Sequence, residues 1–116
     1  MSDLTIIILT KNEEHNLRKC IDSFKGAAKR IVVVDSLSTD NTAELAKSLG
    51  ADVYEHPFAS HAAQFNWALE NVDINTEWIA KIDADEELTP ALAEEIETKL
   101  DSLPHNINGV ILRRRV

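Results

Sequence analysis

Glycine and proline are scarce in this chain, with three of each in 116 residues. Neither a Gly-x-Gly-x-x-Gly turn nor a Walker loop occurs. Any phosphate bound here therefore lacks a glycine cradle, which raises the need for a divalent cation. There is one cysteine, Cys20, so no internal disulfide forms. It falls on the apolar face of an expected helix and reads as a core residue in a reducing compartment. No apolar run approaches the roughly 20 residues of a membrane span, and no basic signal-peptide region opens the chain. Basic residues are outnumbered 12 to 20 by acidic ones, and the net charge of −8 argues against a nucleic-acid partner held by counterion release.

What is present suits one soluble domain with a real core: 44% of residues are apolar and 28% charged. Leu4-Thr5-Ile6-Ile7-Ile8-Leu9 is a continuous aliphatic run, expected as a strand buried on both faces. Asn12 is placed to cap a following helix, with Glu13 and Glu14 in its first turn. Leu17, Cys20, Ile21 and Phe24 then fall at helical spacing, and Gly26 is expected to stop that helix. Arg30 to Val34 reads as a second strand. The polar loop Asp35 to Asn41 leads into a helix with Leu45, Ala46 and Leu49 as its buried stripe, ended by Gly50. Asp52 to Glu55 is a short third strand. Ala62, Phe65, Ala68, Leu69 and Val72 mark a third helix, and Glu77 to Ile82 a fourth strand. Thr89-Pro90 opens a fourth helix with the stripe Leu92, Ile96, Leu100 and Leu103. Gly109 to Leu112 reads as a fifth strand. This alternation predicts an α/β fold of three layers, α/β/α, around a mostly parallel sheet. Ending in a strand, the chain is expected to be the N-terminal part of a longer protein. An uncovered sheet edge or face would then favour self-association.

The densest chemical signal is Trp78-Ile79-Ala80-Lys81-Ile82-Asp83-Ala84-Asp85-Glu86-Glu87. A buried run ends in four carboxylates within five residues. Such clusters cost stability unless a cation or a donor-rich ligand lies between them. Two other polar loops, Thr10 to Glu14 and Asp35 to Asp40, also follow strands. In an open parallel sheet these three loops lie near one another, where ligands bind. Taken singly, the first two read as helix caps or turns and the third as a solvated acidic turn. All three at strand ends favour one shared nucleotide site.

In these motifs the chain resembles the family-2 glycosyltransferases of the GT-A fold, over nearly its whole length. Thr10-Lys11-Asn12-Glu13-Glu14 is similar to the family's first nucleotide loop. Val33-Val34-Asp35-Ser36-Leu37-Ser38-Thr39-Asp40-Asn41-Thr42 is similar to its Val-Asp-Asp-Gly-Ser-Thr-Asp-x-Thr segment. Asp83-Ala84-Asp85 matches its Asp-x-Asp. Gln64 to Leu69 with Thr76-Glu77-Trp78 resembles bacterial members that build capsular, exopolysaccharide or lipopolysaccharide chains.

The resemblance implies a metal-assisted transfer, with inversion, from a nucleotide-sugar to a glycan or lipid-linked acceptor. The donor is expected to be a UDP-sugar. Thr10, Asn12, Glu13, Asp35 and Ser36 would contact the nucleotide, and Asp83 would lie toward the ribose and diphosphate. Asp85, with Asp83, would hold Mg²⁺ or Mn²⁺. Gln64 and Asn66 are candidates for the sugar; His61 is a weaker one. Trp67, off the apolar stripe, is expected against a further segment or a sugar. Phe65, where many relatives carry arginine, is expected in the core. Ser36 stands where the family has its second aspartate, which weakens any base-reading carboxylate there. No catalytic base is assigned: in the family it follows the fifth strand, and Glu86 and Glu87 are the only spare carboxylates nearby. The expected setting is cytoplasmic or peripheral at the inner face of the membrane. The rival reading is a non-catalytic nucleotide- or metal-binding domain of the phospho-receiver type. That type carries an acidic pair after its first strand, where this chain has Thr10-Lys11. A nucleotidyltransferase would need a Gly-rich basic loop there.

Overall fold

The uniformly apolar runs become strands with both faces covered. The computed structural model describes residues 2–86, 88–91, 94, 96, 106–107 and 110–114. Its strands are β1 (Ser2–Thr10), β2 (Ala28–Asp35), β3 (Asp52–Glu55), β4 (Trp78–Asp83), β5 (Asn106–Ile107) and β6 (Val110–Arg114). Helices α1 (Glu14–Phe24), α2 (Thr42–Ser48) and α3 (His61–Asn71) connect the first four. The sheet order is β3-β2-β1-β4-β6-β5. Strands β1 to β4 run parallel, while β6 is antiparallel to β4 and β5 to β6. The expected last strand is therefore present, shifted toward the C-terminus, with a short partner that the sequence reading missed.

Side-chain alternation along β1 divides the core in two. Leu4, Ile6 and Ile8 pack with Leu17, Cys20, Ile21 and Phe24 of α1 and with Ala46 of α2. Ile7 and Leu9 point the other way, toward Phe65 and Ala68 of α3 and Val72 just beyond it. This is the three-layer arrangement that the strand composition predicts. Each fully buried Ile or Leu contributes about 1.5–3 kcal/mol, so β1 anchors both cores.

Three local expectations need correction. Asn12 does not cap α1: the capping position is Glu13, which makes no side-chain cap bond, and Asn12 has φ +54°. On α3, Ala62 is exposed and Gln64 is buried, so the inward stripe begins one turn differently. Gly26 follows the C-cap Lys25, so α1 does stop there, but without the left-handed backbone expected of a capping glycine. Gly50 does end its helix as expected, at φ +92°. Beyond β4, residues 90, 91, 94 and 96 are helical and Ile96 lies in the α1-side core. Leu92, Leu100 and Leu103 lie outside the described residues, as do Glu87 and Gly109.

The order of strands places the site. From β1 the chain winds outward to β2 and β3, then returns to the other side of β1 as β4. The C-terminal ends of β1, β2 and β4 thus meet at the topological switch point, where open α/β sheets bind ligands.

Candidate functional site

Strand register alone brings the three polar loops together. Thr10 pairs with Asp35 across β1 and β2, and Leu9 pairs with Asp83 across β1 and β4. The loops after these strands enclose a cavity of about 230 Å³. Thr10, Lys11, Glu13 and Ser36 line one side, and Asp83, Ala84 and Asp85 the other. Leu9, with Phe58 and His61 in edge-to-face contact at 5.4 Å, completes the lining.

The first two loops are tied by a dense set of hydrogen bonds. Asp35 is 1% exposed, and its Oδ1 accepts from the Thr10 hydroxyl at 2.7 Å and the Ser38 hydroxyl at 2.6 Å. Its Oδ2 accepts from the Ser38 backbone N–H at 2.8 Å. A buried carboxylate needs such donors. The Asn12 N–H donates to Ser38 Oγ, and Asn12 Oδ1 accepts from the Thr39 N–H, both at 2.8 Å. The Lys11 ammonium donates to the carbonyls of Ser36 and Leu37, each at 3.0 Å. Asp40 accepts from the backbone N–H and the hydroxyl of Thr42, at the start of α2. The Thr42 hydroxyl bond is the main reason its carboxyl sits below the usual range.

Two residues other than glycine hold left-handed backbone here, Asn12 at φ +54° and Leu37 at φ +56°. Asparagine tolerates this region; leucine does so at a cost of roughly 1–2 kcal/mol. Glycine stands at the position of Leu37 in the family segment quoted above. That mismatch was the sequence signal for strain at this point.

The acidic loop is shaped by alternation at the end of β4. Ile82 is buried, Asp83 exposed, Ala84 buried and Asp85 exposed. Ala84 sinks into the α1-side core, so both aspartates face the cavity. The Asp83 carbonyl accepts from the Glu86 N–H at 3.0 Å, and Glu86 Oε1 accepts from the Asp83 N–H at 2.7 Å. Glu86 thus folds back on the turn. Burial, and then the charges of Asp83 and Asp85, push its carboxyl upward. Beneath the turn, Ser23 Oγ accepts from the Leu88 N–H at 2.9 Å and ties it to α1. Cys20 is buried there, and burial together with the nearby carboxylates pushes its thiol up to about 12.

The expected site residues therefore separate. Thr10, Glu13, Ser36, Asp83 and Asp85 line the cavity, as does His61. Asp35 and Asn12 lie behind it as loop ties. Gln64 is 1% exposed and bonded to Ser36 and His56, so it meets the cavity only through Ser36. Asn66 is exposed on α3 and outside the lining. Trp67 stacks on His56 at 4.4 Å, and Phe65 is in the core. The sequence reading missed Lys11 and Phe58. Phe58, 53% exposed beside a proline and on no apolar stripe, was the legible one.

Among the described residues, no three His, Cys, Asp or Glu side chains converge as a metal group. Two carboxylates at the cavity mouth, Asp83 and Asp85, suit a hard cation that takes its other oxygens from water and a bound diphosphate. Mg²⁺ typically binds in this way, through one or two carboxylates plus phosphates.

Comparison with known proteins agrees with this geometry. Residues 5–115 match the model of glycosyl transferase family 2. An uncharacterized glycosyltransferase of Rickettsia typhi is 41% identical over 97 residues, 84% of this chain and 32% of that protein. The lipopolysaccharide core biosynthesis glycosyltransferase LpsC of Rhizobium meliloti is 38% identical over 117 residues, 96% of this chain and 42% of its own length. Mannosyltransferase PcManGT of Pyrobaculum calidifontis, solved with GDP-Man and Mn²⁺, superposes with a TM-score of 0.65 at 27% identity. It is covered over 33% of its length, and this chain over 90%. The chain thus spans about a third of the length of the Rickettsia relative.

Proposed function

The chain belongs to glycosyl transferase family 2, and from that premise we propose that it is the donor-binding part of a transferase. The donor is a nucleotide-sugar, and we infer a UDP-sugar from the likeness of the Thr10 and Asp35 loops. The observation that carries the reading is the single cavity in which Thr10 and Ser36 face Asp83 and Asp85 across β1. A nucleoside diphosphate fits that polarity: hydroxyls on one wall, paired carboxylates for a cation on the other.

In this reading Asp85, with Asp83, holds Mg²⁺ or Mn²⁺. When bound, that cation supplies charge neutralisation for the departing diphosphate. The remaining work belongs to the chain's own residues. The Asp35 ties fix the two nucleotide loops before ligand arrives, so little ordering is left for binding. Lys11 ties down the carbonyls of Ser36 and Leu37. Buried Ala84 keeps both aspartates on the cavity side. Attack by an acceptor hydroxyl needs a base within hydrogen-bond reach, and we assign none within this chain. Glu86 is engaged with the Asp83 N–H. The likeness to LpsC favours a bacterial glycan or lipid-linked acceptor. No helix among the described residues is long and apolar enough to cross a membrane.

The reading is tested by titrating the chain with UDP, GDP and ADP in Mn²⁺. Saturable binding, tightest for UDP, supports it. Tighter binding of GDP would reassign the base, and no binding of any nucleoside diphosphate would refute the donor site.

A further inference from the structure

We propose that Ser36 reads the donor's base as a hydrogen-bond donor, with its polarity set by a relay from His56 through Gln64. This inference rests on the donor-site reading above. It concerns which way a proton points, and the chemistry of the partners decides that.

The Gln64 amide lies between three groups. Its nitrogen is 2.9 Å from the His56 carbonyl oxygen and 3.0 Å from Ser36 Oγ. Its oxygen is 2.8 Å from His56 Nδ1. A carbonyl oxygen only accepts, so the amide nitrogen must face it. The flipped amide would set oxygen against oxygen at that distance. With the amide fixed, Nδ1 of His56 must carry a hydrogen, whatever the ring's charge. The ring is held by stacking on Trp67 at 4.4 Å, and its backbone by the His56 N–H donating to the Asp35 carbonyl at 2.9 Å.

The second amide hydrogen goes to Ser36 Oγ, so that oxygen accepts from inside the protein. Its own hydrogen has no acceptor among the described residues. The Ser36 N–H is bound to the Thr10 carbonyl, and its carbonyl is held by Lys11. Ser36 is 4% exposed and lines the cavity, and we assign its hydroxyl hydrogen to the ligand. A carboxylate at this position would accept from an N–H edge of the base. Ser36 does the opposite, and its complement is an exocyclic carbonyl oxygen of the base. Gln64 is then a positioning residue: it enforces the donor state without touching ligand.

The test is calorimetry of UDP binding in Mn²⁺ to the wild-type chain, Ser36→Ala, Gln64→Glu and the double variant. Circular dichroism checks the fold of each. Loss of one neutral hydrogen bond corresponds to about a tenfold weakening. Ser36→Ala should show it. Gln64→Glu should show it too, because a carboxylate draws the Ser36 hydrogen inward. The double variant should be no weaker than either single one. Base-free ribose 5-diphosphate should bind wild type and Ser36→Ala alike. Independently of any variant, nitrogen-15 spectra should show His56 protonated at Nδ1 at neutral pH. Equal UDP affinity of Ser36→Ala and wild type would overturn the proposal while leaving the donor site standing. So would an equal loss for ribose 5-diphosphate, or a neutral His56 ring protonated only at Nε2. A wild-type chain that binds no nucleoside diphosphate would instead remove the donor-site reading, and this inference with it.

Discussion

Asp35 shows how a residue can shape a site from behind its lining. Its carboxylate is buried and takes three hydrogen bonds from Thr10 and Ser38. Asp35→Ala would strand those donors, so it should cost roughly 3 kcal/mol of stability, read as a fall in the denaturation midpoint. Unchanged stability with lost UDP affinity would return Asp35 to direct base contact. Leu37 carries strain in the same loop. Leu37→Gly should gain up to about 1 kcal/mol, since glycine adopts φ +56° freely. Leu37→Val should lose stability, because branched residues resist that region. The reverse order would show that the exposed leucine side chain stabilises more than its backbone costs. Asp40 supplies a pH signature. Its folded-state carboxyl titrates below the ordinary value because of the Thr42 bond. The stability it contributes is present above the ordinary carboxylate range and is lost as pH falls through the lowered value. Asp40→Asn should therefore shallow the acid limb of the thermal-stability profile; an unaltered limb would mean that the bond is not kept in solution.

At the scale of elements, helix α3 brings Gln64 to Ser36, and Ser60 starts that helix. Ser60 Oγ accepts from the Ala63 N–H at 3.0 Å. Ser60→Ala should cost about 1 kcal/mol, measured by denaturant unfolding; no change would mean that packing alone sets the helix start. Elements built from uniform composition were legible in the sequence: β1, β2 and β4 as aliphatic runs, and α1 from Leu17, Cys20, Ile21 and Phe24. The hydrogen-bond partners were not. Asn12 fits a cap by type, yet its side chain serves Thr39, 27 residues away. Gln64 reads as a polar residue pointing outward, although with Phe65, Ala68 and Val72 it completes a helical stripe. A glutamine on such a stripe was the available signal of a buried polar tie. The Asp-x-Asp turn was legible because strand alternation, with a small buried Ala84, fixes which side its carboxylates face.

At the scale of the molecule, a net charge of −8 and a cavity mouth with two aspartates oppose an anionic ligand unless a cation accompanies it. Nucleotide binding by this chain should therefore be metal-linked through Asp85. The most direct measurement is calorimetry of UDP binding with Mn²⁺ and with EDTA, on the wild-type chain and Asp85→Asn. Wild type should bind at least about tenfold more tightly with Mn²⁺, or 1.4 kcal/mol, and Asp85→Asn should show no difference. The same UDP affinity with and without metal in the wild-type chain would contradict the metal linkage.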